Sequence, residues 1–299
     1  MGEFLISLTI FFMVRIIETP RDAMQGIKEF IPTQKKVAFL NALLKVGFHT
    51  LDFGSFVSPK AIPQLKDTAE VVEQLDLDNT KTQLLAIVGN KRGAEIGSQF
   101  NQIKYLGYPY SISESFLKRN INSNFEKSFN QVAEIQNICE RNGQELVLFI
   151  SNAFGNVYGD PWSPRVVHKH VSKLSELGIK TMPLSDTSGV GKPKAIKEAF
   201  DAVINEFPEI EFGAHLHTHK GNWKENLEAA CKSGCRRFDT VINGLGGCPM
   251  TGKKLIGNLL TFDLLRYLED IGEDHGLNMK ALNQALFIEA GTFPIRLIS

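Results

Sequence analysis

Eight short runs rich in β-formers alternate with helix-period stretches from end to end, and no long linker interrupts them. Alternation repeated this often requires right-handed crossovers into a parallel sheet. Together with the count of eight, it predicts an α/β fold closed into a (β/α)8 TIM barrel with extra C-terminal helices, in preference to an open doubly wound sheet. A chain of 299 residues has the length for one such barrel and a substantial core.

The expected strands run over 14–18, 49–53, 84–88, 108–113, 145–151, 180–185, 211–217 and 236–241, each a short β-rich apolar run. Gly107 and Pro109 break the pattern at the fourth, which makes its boundary the softest. Apolar residues at helical spacing predict helices over 35–45, 61–74, 125–141, 164–177 and 194–207. Two more helical segments, 261–271 and 278–290, follow the eighth strand and are expected to extend the final helix and cap one side of the barrel. The domain reading is a single catalytic barrel over 14–299, preceded by an apolar extension over 1–13. That extension is apolar for only about 11 residues, half of a membrane helix. It lacks the basic start and the small-residue cleavage site of an export signal, and reads as a floor for the barrel or as a start assigned too early, with Met13 as the true one.

Composition narrows the function classes. Lysine and arginine total 33 and aspartate and glutamate 33, so the formal net charge is zero. A neutral chain argues against broad binding to nucleic acid or to an anionic membrane, and leaves room for a local basic site. Four cysteines, Cys139, Cys231, Cys235 and Cys248, are too few for a disulfide framework and fit a reducing, cytoplasmic location.

In a (β/α)8 barrel the chemistry sits at the carboxyl ends of the strands. The first expected strand leads into Pro20-Arg21-Asp22, a cationic fork beside a hard oxygen ligand. The second ends at Asp52 and continues through Ser55-Phe56-Val57-Ser58-Pro59-Lys60. The sixth ends at Asp186-Thr187. The seventh carries His215 and His217, whose spacing of two turns both to one face. After the eighth come Gly244-Leu245-Gly246-Gly247-Cys248-Pro249 and then Asn258. Each feature alone is ordinary, but polar groups at strand end after strand end are not what a bland core requires. Asp22, His215, His217 and Asn258 offer two imidazoles and two oxygen ligands, a set suited to Mg²⁺ or Mn²⁺ with open positions for water and a chelating substrate. Cys231-x3-Cys235 reads as packing rather than as a zinc site.

On these motifs the chain resembles the 3-hydroxy-3-methylglutaryl-CoA lyases, within a wider group of metal-dependent barrel lyases and condensing synthases. The resemblance runs from about Val14 to about Ala290, and the Gly-Leu-Gly-Gly-Cys-Pro loop is its most specific part. It implies that Asp22, His215, His217 and Asn258 bind the divalent metal and that Arg21 contacts the substrate near the reacting carbonyl oxygen. It further implies that Cys248 is catalytic, that Asp52 and Asp186 are supporting acidic residues of the catalytic set, and that the enzyme is a homodimer acting on an acyl-CoA. The expected reaction is retro-Claisen cleavage to acetyl-CoA and acetoacetate, with His215, or Asp22 through a water, as base. Cys248, or a water it positions, then returns a proton to the carbanion. Lys60, Lys91, Arg92, Lys118 and Arg119 are candidate phosphate partners for the CoA tail, or equally solvated surface charge.

Two departures bear on specificity. Asp52 stands where the family commonly has Glu, and Thr218-His219-Lys220 replaces a more usual run after His217, which makes His219 a supporting or loop residue. Two other readings stand beside the leading one: a condensing synthase or hydroxy-keto-acid aldolase, and a barrel that binds metal but has lost catalysis and acts by interaction. The cysteine loop weighs against the former and the intact polar set against the latter.

Overall fold

Aliphatic and β-branched runs form eight strands: β1 Arg15–Glu18, β2 Thr50–Ser55, β3 Gln83–Ile87, β4 Ile103–Ser111, β5 Glu145–Ser151, β6 Leu184–Ser185, β7 Ala214–His215 and β8 Arg237–Thr240. In this computed structural model, which describes residues 13–218, 221–246 and 256–293, they pair in parallel in sequence order. β1 also pairs with β8, so the sheet closes on itself as a (β/α)8 TIM barrel. The apolar run before residue 13, His219 and Cys248 lie outside the described residues.

The helices are α1 Pro20–Gln25, α2 Thr33–Leu43, α3 Thr68–Glu73, α4 Lys91–Gly97, α5 Glu114–Ile121, α6 Phe125–Arg141, α7 Pro164–Ser175, α8 Pro193–Asp201, α9 Trp223–Lys232, α10 Thr261–Asp270 and α11 Met279–Thr292. Their starts follow local chemistry. Ser163 accepts a hydrogen bond from the Val166 amide with Pro164 in the first turn, and Asn90, Ser113 and Asn124 cap α4, α5 and α6 in the same way. Each such cap contributes about 1 kcal/mol.

Two expectations need correction. The single helix expected over 61–74 is a short 3-10 turn, Pro63–Leu65, followed by α3. The fourth strand begins at Ile103 rather than at residue 108, and passes through both breakers. Gly107 is tolerated because it faces the packed barrel interior, where a Cβ would come within 2.5 Å of Ile87 Cδ1. Pro109 is tolerated because the β3–β4 ladder stops at Gly107, so its missing N–H leaves no partner unbonded on that side. At the C-terminal end of the chain, α11 packs beside α2 in the outer layer and α10 neighbours α9, so both lie on the side of the barrel.

Strand alternation divides the apolar residues. Outward-facing side chains such as Ile16, Leu51, Phe53, Leu106, Leu148, Leu184 and Phe238 pack against the helices in the main core. Leu85, Val147 and Phe149, with Ile87 and Tyr105, form a separate cluster inside the barrel. At the amino end, Glu211 accepts from Arg15 at 2.7 Å and from the buried Arg237 at 3.1 Å.

Glu18, at the end of β1, is fully buried on the outward side. It accepts hydrogen bonds from the Ile242 amide at 2.6 Å, Thr261 Oγ1 at 2.7 Å and Thr240 Oγ1 at 3.3 Å. Burial pushes its carboxyl up from 4.5 to about 8 against those three donors. The folded chain then keeps a proton that the unfolded chain has released, so this group makes stability fall as pH rises from the unfolded value towards the folded one. The expected slope is about 1.4 kcal/mol per pH unit in that window. Glu18→Gln should flatten it; urea-unfolding midpoints that change identically with pH in both proteins would refute this.

Candidate active site

Arg21 and Asp22 lie on α1, one turn placed immediately after β1 with Pro20 at its start, so both side chains remain at the carboxyl mouth. Asp52 reaches the same point from β2. The Arg21 guanidinium grips it with Nε at 3.1 Å and Nη2 at 2.6 Å from Oδ2. Arg21 Nη1 donates to Asp22 Oδ1 at 2.8 Å and to Gln25 Oε1 at 3.1 Å, and Gln25 Nε2 donates back to Asp22 Oδ1 at 2.5 Å. The guanidinium has five N–H donors. These contacts occupy Nε, both Nη1 hydrogens and one Nη2 hydrogen, which among the described residues leaves one Nη2 hydrogen for a substrate oxygen. The shorter Asp52 carboxylate therefore still makes a forked pair.

Across the mouth, His215 ends β7 and His217 follows two residues later on the same inward side. Asp22, His215 and His217 place potential ligand atoms within 4.8 Å of one another. Asn258 closes the group from the segment after β8: its Nδ2 donates to Asp22 Oδ2 at 2.6 Å and to the Leu245 carbonyl at 2.9 Å, which leaves Oδ1 as the atom for a ligand role. Gly246, at φ +107°, allows this closure, since a Cβ there would come within 2.5 Å of Asn258 Nδ2 and 2.7 Å of Asp22 Oδ2. The glycine-rich loop thus has a geometric reason beyond being a turn.

Electrostatics prepare the cluster for a cation. Burial works to raise the Asp22 carboxyl, but Arg21, His215 and His217 outweigh it and hold the group at about 2. Burial and the neighbouring His215 depress the His217 imidazole to about 4, so at neutral pH it offers a lone pair. Asp52 is raised by burial to about 6 against the pull of Arg21, and remains a carboxylate at neutral pH. His215 moves the other way: burial lowers it, but the hydrogen bond from Nδ1 to Asp239 Oδ2 at 2.9 Å together with the negative charges of Asp239 and Asp22 raises it more. One anionic oxygen, imidazole nitrogens and an amide oxygen in a buried mouth form a donor set that fits a hard or borderline divalent ion.

The expected residues Arg21, Asp22, Asp52, His215, His217 and Asn258 therefore converge. Asp186 is buried beside them but turns to its own loop, where Oδ1 accepts from the Val190 amide at 3.0 Å and Oδ2 from the Gly191 amide at 3.0 Å. Burial raises it to about 6 against these amides. Of the candidate phosphate partners, Lys91 pairs with Glu134 at 3.3 Å, and the Arg119 guanidinium lies 5.7 Å from the Tyr158 ring centre. Reading the sequence missed Gln25 and Asp239. Gln25 had a signal, being four residues after Arg21 on a helical turn. Asp239 had one too, as a lone carboxylate between Phe238 and Val241 in a strand that faces a histidine strand.

Comparison with known proteins gives a consistent picture. The HMGL-like family matches residues 13–287. A mitochondrial hydroxymethylglutaryl-CoA lyase of Bos taurus is 32% identical over 283 residues, covering 94% of this chain and 84% of the relative. A cytoplasmic 3-hydroxy-3-methylglutaryl-CoA lyase of Rattus norvegicus is 30% identical, covering 94% and 80%. Among solved structures, an HMG-CoA lyase from A. baumannii in complex with coenzyme A and 3-methylmalate superposes with a TM-score of 0.83 at 30% identity, covering 91% of this chain and 88% of that one.

Proposed function

This chain belongs to the HMGL-like family, and on that premise we propose that it cleaves 3-hydroxy-3-methylglutaryl-CoA to acetyl-CoA and acetoacetate in a divalent-metal-dependent retro-Claisen reaction. The observation that carries the proposal is the meeting of Asp22, His215 and His217 within 4.8 Å at the carboxyl mouth, with Arg21 beside them. With Asn258, these residues would hold Mg²⁺ or Mn²⁺. Such an ion would supply Lewis acidity that makes the C3 hydroxyl of the substrate easier to deprotonate.

In the reaction the C3 hydroxyl loses its proton, C3 becomes the ketone carbon of acetoacetate, and the C2–C3 bond breaks. The bonding pair stays on C2 as the enolate of acetyl-CoA, which then takes a proton. Of the two bases considered, His215 has Nδ1 committed to Asp239, which leaves its Nε2 lone pair for the ion or the proton. Asp22 has its own commitments, accepting from Arg21, Gln25 and Asn258, so either His215 or Asp22 acting through a water takes the hydroxyl proton. Arg21 is held rigid by Asp52, Asp22 and Gln25, and directs its remaining Nη2 hydrogen at the oxygen where enolate charge develops. Cys248, by its place in the Gly-Leu-Gly-Gly-Cys-Pro motif, delivers the final proton directly or through a water, and Asp186 orders the neighbouring loop.

We further infer a homodimer in a reducing, cytoplasmic setting. Cys139, Cys231 and Cys235 are free and buried, which fits a reducing compartment. No helix among the described residues is long and apolar enough to cross a membrane.

The deciding experiment incubates the purified protein with hydroxymethylglutaryl-CoA and Mg²⁺, or with EDTA, and measures acetoacetate. Product with Mg²⁺ and its loss with EDTA are expected. No product with Mg²⁺ defeats the substrate assignment, and equal product in EDTA defeats the metal requirement.

A further inference from the structure

We propose that Asp239 is a positioning residue that fixes the tautomer and ring plane of His215, so that Nε2 presents its lone pair to the cation cluster. The inference rests on the metal reading above and adds a residue to it.

The placement begins with strand register. Asp239 on β8 lies directly beside His215 on β7 and beside Ile17 on β1, within continuous parallel pairing. Alternation turns Asp239 into the barrel, two residues beyond the inward-facing Arg237. The two side chains meet at 2.9 Å, Nδ1 to Oδ2, with Asp239 2% and His215 9% exposed. A carboxylate can only accept, so this contact requires a hydrogen on Nδ1 and leaves the Nε2 lone pair as the one His215 can offer to its cluster with Asp22 and His217. Two neighbouring rings limit rotation about the side chain. Phe149 stands at 5.9 Å and 81° to the imidazole, and His217 at 5.3 Å and 69°.

Stability alone does not account for this arrangement. Asp239 Oδ1 is buried without a hydrogen-bond partner among the described residues, as are Nε and Nη2 of Arg237. Leaving such groups unpaired costs folding free energy. A carboxylate kept there is better explained by what its other oxygen does for His215. Carboxylate–histidine–metal chains act in this way, orienting the ring and strengthening it as a ligand.

The test uses Mn²⁺ as probe on the full chain, with binding read by electron paramagnetic resonance of the free ion. In Asp239→Asn the amide can present its NH2 group to Nδ1, which would place the ring hydrogen on Nε2 and block the ligand atom. Roughly 10- to 100-fold weaker Mn²⁺ binding is expected. Wild-type protein that binds Mn²⁺ alongside a folded variant of equal affinity would overturn the proposal while leaving the metal reading intact. Failure of the wild type to bind Mn²⁺ would instead sink the metal reading. A measurement that needs no variant covers the case in which Asp239→Asn does not fold: nitrogen NMR of histidine-labelled, Mg²⁺-loaded wild type should show His215 protonated at Nδ1 and not at Nε2. The opposite tautomer overturns the assignment.

Discussion

Arg21→Lys is expected to lower turnover with saturating substrate by roughly 10²- to 10³-fold, the scale of losing a preorganised donor to a developing oxyanion. Lysine keeps the positive charge but not the fork. One ammonium cannot reproduce the Nε and Nη2 contacts to Asp52 while also donating to Asp22 and Gln25. The group left for the substrate then loses its fixed direction, which matters more for the transition state than for binding. Mn²⁺ binding should change little, because a cation remains beside Asp22. Stability should fall as well, since Asp52 is 0% exposed and loses its paired donors. Steady-state kinetics together with Mn²⁺ titration checks this. A variant with wild-type turnover would remove Arg21 from the chemistry.

Asp22→Asn should produce the reverse pattern, a loss that begins with metal binding. Asp22 is the one carboxylate in the cation cluster, and it accepts from Arg21 Nη1, Gln25 Nε2 and Asn258 Nδ2. An amide there removes the negative charge and sets an NH2 group against at least one of those donors. Mn²⁺ affinity is expected to fall by at least about 100-fold, beyond the range typical of a residue behind the ligands. Turnover should fall with it and recover in part at high Mn²⁺. Activity restored at high Mn²⁺ would separate this defect from that of Arg21→Lys, where added metal should do nothing. Unchanged Mn²⁺ affinity would exclude Asp22 as a ligand.

The legible part of the site was written in short-range spacing. Two histidines separated by one residue in a strand must share a face, and an Arg-Asp pair following a strand and a proline must stay near the strand's end. Asp52 and Asp186 were read at strand ends and Asn258 in the segment after the eighth strand. Asp186 directly follows β6 and Asn258 lies beyond β8, but β2 runs on to Ser55, so Asp52 stands within the strand rather than at its end. Their orientation was not legible. Asp52 turns to Arg21, whereas Asp186 turns to the amides of Val190 and Gly191, because the loop after β6 folds back around it. Asp239 gave no motif of its own; its meaning comes from lying beside His215 across two strands 24 residues apart in the chain. The start of β4 was misplaced for a related reason. Gly107 and Pro109 read as breakers until the neighbouring strand shows that one faces a filled interior and the other lacks a partner to lose.

Local chain chemistry was therefore enough for the barrel and its polar mouth, since periodicity and strand-end placement act over a few residues. Which carboxylate grips the guanidinium, which orders a loop and which steers an imidazole depended on closure of β8 against β1, for only then do side chains far apart in sequence come within hydrogen-bonding distance in a buried, low-dielectric space.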